Sequence, residues 1–287
     1  MIEQLSLFGF DKRWAARRER WVTPAERFLP TGYSVDVVSE RLAREFVVRE
    51  HYSGTFPAAR LSVGLWGPGP ELVGVAVFSV PMSQSVLRRW AGEDHQRAVE
   101  LGRFICAPSV KFNGETWFLR RAFTALRREK RITAILSFAD PLERRTAEGL
   151  LTKAAHHGTI YMAKGALLAG RTDRRALILA PDSSVVNERM LSKIRNEERG
   201  IDYAVRRLLV LGADRRNRGE DWSTWLGRVL RPPVFRRVHH PGNYAYLFGL
   251  DAQTADRLSN LHNGGQPFPR RSSLRPDDAR ETLPLAA

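Results

Sequence analysis

Short apolar runs, separated by polar stretches with helical periodicity, organise this chain from about residue 33 onward. Tyr33 to Val38 is strand-like, and Ser39 stands where an N-cap is needed for a helix running through Leu42, Phe46 and Val47 to Glu50. His51 and Tyr52 fall at the end of that helix, and Ser53-Gly54 stop it. Leu61 to Trp66 and Leu72 to Val80 are β-rich runs joined by Gly67-Pro-Gly-Pro70, a hairpin signal. Val99 to Cys106 predicts the next strand, broken by Pro108. Asn113 can cap a helix with Trp117, Phe118, Ala122, Phe123 and Leu126 on one face and Arg120, Arg121, Arg127 and Arg128 on the other. Ile132 to Phe138 reads as a compact strand, Asp140-Pro141 as the start of a helix with Leu142, Leu150 and Leu151, and Gly158 to Met162 and Ala176 to Leu179 as strands again. That order predicts a mixed α/β fold.

From Asn187 the pattern changes to basic helices, with Met190, Leu191 and Ile194 on one side and Arg189, Lys193, Arg195 and Arg199 around them. A second helical stretch holds Tyr203 to Leu211, and Tyr244 to Leu250 reads as a late strand. The division this suggests is a leader over residues 1–30, a catalytic domain over 31–186, a basic helical extension over 187–262 that includes the late strand, and a disordered tail over 263–287 rich in Gly, Pro, Arg and Ser.

At 287 residues and 43% apolar, the chain has ample material for a core. No apolar run approaches the ~20 residues of a membrane-spanning helix, and Met1 to Asp11 lacks a basic flank followed by an apolar core, which predicts a cytoplasmic protein. Cys106 is the single cysteine, so an internal disulfide and a cysteine-built zinc site are excluded. The net charge of +15 is mostly arginine, whose planar fork suits phosphate, and a nucleic acid is the natural polyanionic partner. A genome rich in GC would also enrich arginine.

Polar residues collect where strands give way to loops, the usual place for chemistry in α/β proteins. They are His51 and Tyr52, Glu100 and Arg103, Ser137 and Asp140, and the stretch from Gly158 to Tyr161. Glu100 and Arg103 are three apart, so in a regular strand they point to opposite faces. Asp140, with Pro141 after it and Glu143 three residues on, also matches a helix start, so a cap and a catalyst are both open readings. A strand, a short loop and a helix beginning near Gly114 make a candidate anion site that includes Phe104, Asn113, Gly114 and Glu115.

Taken in order, His51-Tyr-Ser-Gly54, Val73-Gly-Val-Ala-Val-Phe78, Glu100-Leu-Gly-Arg103, Ser137-Phe-Ala-Asp140 and Gly158-Thr-Ile-Tyr161 resemble the Mom family of phage-type DNA adenine-modification proteins, within the GNAT acyltransferase superfamily. The similarity continues through Leu191-Ser-Lys-Ile-Arg195, the Tyr203 to Arg207 helix and His240-Pro-Gly-Asn-Tyr244. The resemblance implies a GNAT-like fold with a mostly antiparallel central sheet and flanking helices, plus a basic helical extension. It implies acetyl-CoA bound near a splayed strand pair, here Val99 to Cys106 and Ile132 to Phe138, and conversion of adenine in DNA to N6-carbamoylmethyladenine as a defence against restriction. The superfamily's paired-glycine phosphate signature is absent from residues 107–113, and residues 142–155 are long for the family.

On that reading Asp140 or Tyr161 takes the N6 proton, Arg103 or Ser137 stabilises charge or orients the base, and Tyr52 stacks on an adenine flipped out of the duplex. Plain acetyl transfer would leave an amide, so the carbamoylmethyl product needs further chemistry. Iron has been linked to the family, and His51, Tyr52 and Asp140 include ligand types that it accepts. Arg189, Lys193, Arg195, Arg199 and Arg206 would grip DNA phosphates. Gln4, Leu5, Leu7 and Phe8 resemble the peptide that docks replication proteins on the bacterial sliding clamp; alternatively the three apolar side chains cover the core. The competing readings are a GNAT acyltransferase for a protein or small amine, and a non-catalytic nucleic-acid-binding protein.

Overall fold

The computed structural model describes residues 28–51, 53–111 and 113–269. In chain order the strands are β1 (Ser34–Val37), β2 (Ala59–Trp66), β3 (Leu72–Ser79), β4 (Ala98–Cys106), β5 (Ala134–Ala139), β6 (Arg144–Arg145), β7 (Leu151–Lys153), β8 (Leu167–Arg171), β9 (Arg175–Leu179), β10 (Arg236–His240) and β11 (Tyr244–Gly249). The helices are α1 (Glu40–Glu50), α2 (Gln84–Ala91), α3 (Gly114–Lys130), α4 (Thr159–Ala163), α5 (Glu188–Arg195), α6 (Ile201–Val210), α7 (Trp222–Val229) and α8 (Ala252–Leu261). None of them is long and apolar enough to cross a membrane. Backbone contacts divide the described residues into two units, 28–141 with 156–172 and 243–269, and 142–155 with 173–242.

The first unit is built on a seven-stranded sheet in the order β1-β2-β3-β4-β5-β11-β8. Every neighbouring pair is antiparallel except β4 and β5. Its strands are nearly continuous apolar runs because helices cover both faces. On one face α3 packs Phe118, Leu119, Ala122 and Leu126 against Val63, Phe78, Leu101 and Ile135. On the other, α1 buries Ala43, Phe46 and Val47 against Val75 and Val77, while Leu87 and Trp90 of α2 and Leu258 of α8 cover Ala98, Leu136 and Leu247. Ser39 caps α1 as the sequence suggests, its hydroxyl accepting from the Leu42 N–H at 3.3 Å. Arg127, Arg128 and Lys130 complete the last turn of α3, where cations offset the helix dipole.

The β3–β4 ladder slips between Val77 and Phe78: Ser79 faces Glu100, Phe78 faces Leu101 and Val77 faces Arg103, leaving Gly102 as an inserted residue. That bulge re-phases the strand. Glu100 and Arg103 oppose Ser79 and Val77, two apart on a regular strand, so they share a face rather than taking opposite ones. Gly102, a lone glycine inside the strand run, was the available signal; simple alternation overlooks the extra residue and so misplaces this pair.

The second unit contains two antiparallel strand pairs, β9–β10 and β6–β7, and three helices. Leu191, Ile194, Ala204, Leu208, Trp225, Leu226 and Phe235 form its core. The helix expected after Asp140-Pro141 is instead the β6–β7 hairpin. Gly149 at φ +85 turns the chain, the Thr146 N–H bonds the Leu150 carbonyl at 2.8 Å, and Leu150 is 43% exposed rather than buried with Leu142. Buried Lys153 donates to the Leu142 and Ala154 carbonyls at 2.7 and 3.2 Å. The stretch from Gly158 to Met162 is not a strand either: Gly158 at φ +79 starts the short helix α4.

The late strand is not part of a C-terminal extension. As β11 it lies between β5 and β8, pairing Tyr244 with both Ala139 and Arg171. Of the stretch expected to be disordered from Asn263, residues 263–269 are placed; Gln266 N–H donates to the Leu168 carbonyl at 2.7 Å and the Phe268 ring stacks 6.5 Å from Tyr246. Residues 270–287 and the leader through residue 27 lie outside the described residues. The sequence pattern did not reveal α2, β8, α7 or α8.

Gly102→Ala tests the bulge. The added methyl would fall on the Ser79 hydroxyl and within 3.3 Å of Pro57 Cγ. Destabilisation of about 1–3 kcal/mol is expected from denaturant midpoints, partly relieved in the Gly102→Ala, Ser79→Ala double variant.

Candidate active site

The strands β4 and β5 pair over only three rungs, Ala98 with Ala134, Val99 with Ile135 and Glu100 with Leu136. Beyond them β4 runs on to Cys106, held by β3 on one side, and β5 runs on to Ala139, held by β11. Between the two the sheet opens. Fully buried Ser137 bridges the start of the gap, its hydroxyl reaching the Leu101 carbonyl at 3.5 Å. Backbone polar groups that lose a neighbouring strand need other partners, so such a gap suits a ligand with amide character.

One bank of the opening is tied together through side chains. Arg103 donates to the Thr55 carbonyl at 3.1 Å, to Thr55 Oγ1 at 2.8 Å and to the Gly102 carbonyl at 2.6 Å. Thr55 Oγ1 donates onward to Ser53 Oγ at 3.3 Å, and Ser53 Oγ lies 2.8 Å from His51 Nδ1. The Ser53 N–H also donates to that Nδ1, at 3.1 Å. Nδ1 is therefore an acceptor, and the neutral ring carries its proton on Nε2. Arg103 thus anchors the loop that bears His51, joining two separate motifs of the sequence. Beside it, burial pushes the Glu100 carboxyl above its ordinary range, opposed in part by Arg103.

The other bank is the end of β5. Asp140 follows Ala139 directly and caps no helix, so that reading is withdrawn. Its carbonyl accepts from the His156 N–H at 2.9 Å, closing the excursion of residues 142–155 and setting His156 beside it. His156 Nδ1 accepts from the Gly158 N–H at 3.1 Å. A side chain on Gly158 would fall within the Tyr246 ring, so glycine is required there for space as well as for its φ. The Tyr246 hydroxyl donates to the His157 carbonyl at 2.5 Å, and burial first, then Tyr244 and Tyr161, raises its pKa. Tyr246 is a structural donor, not a base.

Tyr161, a predicted proton acceptor, is only 6% exposed and packs against His156, Tyr246 and Phe248 at ring separations of 5.5, 5.4 and 6.1 Å. At the same sheet end the Arg171 guanidinium lies 4.5 Å over the Tyr244 ring, with Nε and Nη2 buried and lacking a hydrogen-bond partner among the described residues. His156, His157 and Arg171 were not picked out from sequence. The helix expected over residues 142–155 hid the two histidines; their position just before Gly158 in the fifth motif was the available signal.

The predicted anion site fits less well. Asn113 holds φ +72 and makes no side-chain cap bond, contrary to its expected role. The Gly114 N–H is bonded to the Lys111 carbonyl at 3.0 Å, and Gly114 is glycine because a Cβ would strike Phe28 at 2.7 Å. Glu115 adds negative charge to the first turn, and Phe104 stacks on Phe118 at 5.5 Å. A groove of about 810 Å³ lies instead between β1 and α3, lined by Trp117, Arg120, Arg121 and Arg128 among others. Arg121 sits 3.8 Å over the Trp117 ring there.

The described residues do not fit an iron site. No group of three or more His, Cys, Asp or Glu among them is arranged to hold a metal, His51 Nδ1 is engaged by Ser53, and Tyr52 lies outside the described residues. In the second unit Arg189 forms a two-pronged ion pair with Glu198 and Arg195 pairs with Glu188 at 2.9 Å. Lys193 is half-buried, whereas Arg199 and Arg206 are exposed.

A model of the Mom protein family matches residues 32–218, well over half of the chain. The span contains both banks of the opening, the β6–β7 hairpin and the helices α5 and α6. No curated protein matches the chain.

The raised proton affinity of Glu100 has a measurable consequence. The site disfavours its charged form, so at a pH where the unfolded chain carries that charge the carboxyl costs stability. Glu100→Gln should raise the thermal midpoint at pH 7 to 8. The gain should shrink as pH falls and vanish below about 4.5, where the unfolded-state carboxyl is itself protonated.

Proposed function

The chain belongs to the Mom protein family of DNA adenine-modification proteins, and on that premise we propose that it converts adenine in DNA to N6-carbamoylmethyladenine, protecting phage or mobile-element DNA from restriction. The observation that carries the reading is the opening between β4 and β5, which sets Glu100 and Arg103 on one bank and Asp140 with His156 on the other.

Adenine N6 is a poor nucleophile because its lone pair is delocalised into the ring, so a proton acceptor must assist it. Asp140 is the acceptor in this proposal. It no longer has a capping role, and it stands at the strand end where a flipped base can approach. Arg103 positions the His51 loop through Thr55. Ser137 is buried against Leu101, so it supports the opening rather than touching substrate; Tyr161 likewise acts as the packing wall behind His156. Tyr52, the proposed stacking surface, remains a reading of the sequence.

The GNAT relationship and acetyl-CoA belong to the same proposal. The open edge of β4 fits the extended amide arm of the cofactor, and Phe104 lies on it; the start of α3, with Glu115 in its first turn, fits the pyrophosphate poorly. When bound, acetyl-CoA supplies an activated two-carbon acyl group. The carbamoyl nitrogen needs a further donor, and bonding N6 to the methyl carbon of the acyl group, with loss of a C–H hydrogen, needs a two-electron oxidant. Arg189, Lys193, Arg195, Arg199 and Arg206 remain the proposed phosphate contacts, two of them through ion pairs that would have to rearrange. The sliding-clamp peptide at Gln4, Leu5, Leu7 and Phe8 lies outside the described residues and rests on the sequence.

Mass spectrometry of nucleosides from DNA of cells expressing the protein should show an adenine derivative of the N6-carbamoylmethyl mass. Loss of a general base typically lowers rate by about 10²–10⁴, so Asp140→Ala should nearly abolish the product while the protein stays folded. An unmodified adenine pool with wild-type protein would sink the proposal.

A further inference from the structure

The second unit presents a helix pair whose exposed face carries more than phosphate contacts. A five-residue turn joins α5 to α6, and Gly200 holds φ +89 at its end. Leu191 and Ile194 of α5, Ala204 and Leu208 of α6, and Trp225, Leu226 and Val229 of α7 share one core. That packing fixes the orientation of α6. With Ala204 and Leu208 inward, Tyr203, Arg206, Arg207 and Val210 fall on the outer side at the i, i+3, i+4 and i+7 spacing of a single helix face.

All four side chains are exposed, Tyr203 by 70% and Val210 by 75%. The chemistry of this face differs from that of its neighbours. On α5, Arg189 and Arg195 are matched by Glu198 and Glu188, and on α7 Arg228 is matched by Glu220 at 2.8 Å. Among the described residues Arg206 and Arg207 take part in no ion pair. A basic face that merely holds a helix in water needs no aromatic and aliphatic side chain between its charges. A face that touches phosphates alone needs only the charges.

Two short helices joined by a glycine-containing turn, with the second presenting a mixed arginine and apolar face, is the arrangement that enters the DNA major groove. Arginine matches the two acceptors of guanine there, and apolar atoms meet the thymine methyl. We propose that α5 and α6 act as a helix-turn-helix on duplex DNA, with Tyr203, Arg207 and Val210 reading base edges beside the phosphate contact of Arg206 and so setting the sequence context in which adenine is modified. The inference rests on the DNA-modification reading for the identity of the partner, and the strongly basic chain supplies the charge complementarity.

Selection from a random duplex library with the full-length protein tests it. Wild type should enrich a consensus. Arg207→Lys keeps the charge but loses the two-pronged fork, so it should weaken preference for that consensus by about tenfold or more with nearly unchanged affinity for random duplex. Tyr203→Ala should relax the preference at a different base position, and thermal melts of both variants should match wild type because neither side chain is in the core. An unenriched library, or the same consensus with equal preference from both variants, overturns the inference. So does an equal loss of affinity for all sequences, which would make α6 a phosphate contact. If nucleoside analysis shows no modified adenine while the consensus and its loss in the variants persist, the catalytic reading fails and this one stands.

Discussion

The rest of the first unit depends on one interruption: β4 and β5 stop pairing after three rungs. Breaking a sheet at its centre exposes backbone groups that a continuous ladder would satisfy, and each buried group left alone is costly. Each half keeps its ladder on the side away from the break. β3 follows β4 along its length, β11 follows β5, and the Ser137 hydroxyl meets the Leu101 carbonyl where the gap begins. The packing on α3 does the rest. Phe118, Leu119, Ala122 and Leu126 are buried against strands from both sides, so the helix holds together two half-sheets that the ladder alone does not join.

The break also orders the charges. The Gly102 bulge brings Glu100 onto the face that carries Arg103, and burial then raises the proton affinity of the carboxyl despite the nearby guanidinium. Desolvation outweighs the pull of the Arg103 charge, and the Arg103 donors bond Thr55 and the Gly102 carbonyl. The same bonds make Arg103 the anchor of the His51 loop. Across the gap, a main-chain bond from the His156 N–H to the Asp140 carbonyl holds these two residues side by side.

Much of this frame is legible in the sequence, and the parts that are not share physical causes. The β2–β3 hairpin, α1 with its Ser39 cap and the long helix α3 follow from local patterns, because each is stabilised by near neighbours. Asp140-Pro141 with Glu143 mimics a helix start, yet Gly149 and the alternation around Thr152 favour the hairpin. Gly158 begins a helix in a conformation that is also common in turns, so the apolar residues after it pass for a strand. The bulge is marked only by a lone glycine, Gly102, inside a strand run, and the face shared by Glu100 and Arg103 emerges only from the register. Of the candidate site, the motifs mark the segments; the partners of each side chain are properties of the packed sheet.

The placement of β11 shows why a reading along the chain divides this protein differently from the folded structure. Seventy residues separate Thr172 from Asn243, yet β8 and β11 are neighbours in one sheet. Two bonds close that loop, Thr172 N–H to the Asn243 carbonyl at 2.9 Å and Asn243 N–H to Thr172 Oγ1 at 2.8 Å. The His156 N–H to Asp140 carbonyl bond closes the shorter excursion at 142–155 in the same way. Loop-closure entropy grows only slowly with length, so three short bonds and a strand's worth of pairing can retain a large insertion. The far edge of β5 is satisfied by β11, which makes the end of β5 a long-range element of the fold. Asp140 stands just past that end, so the position of the proposed proton acceptor depends on the chain's return from both excursions.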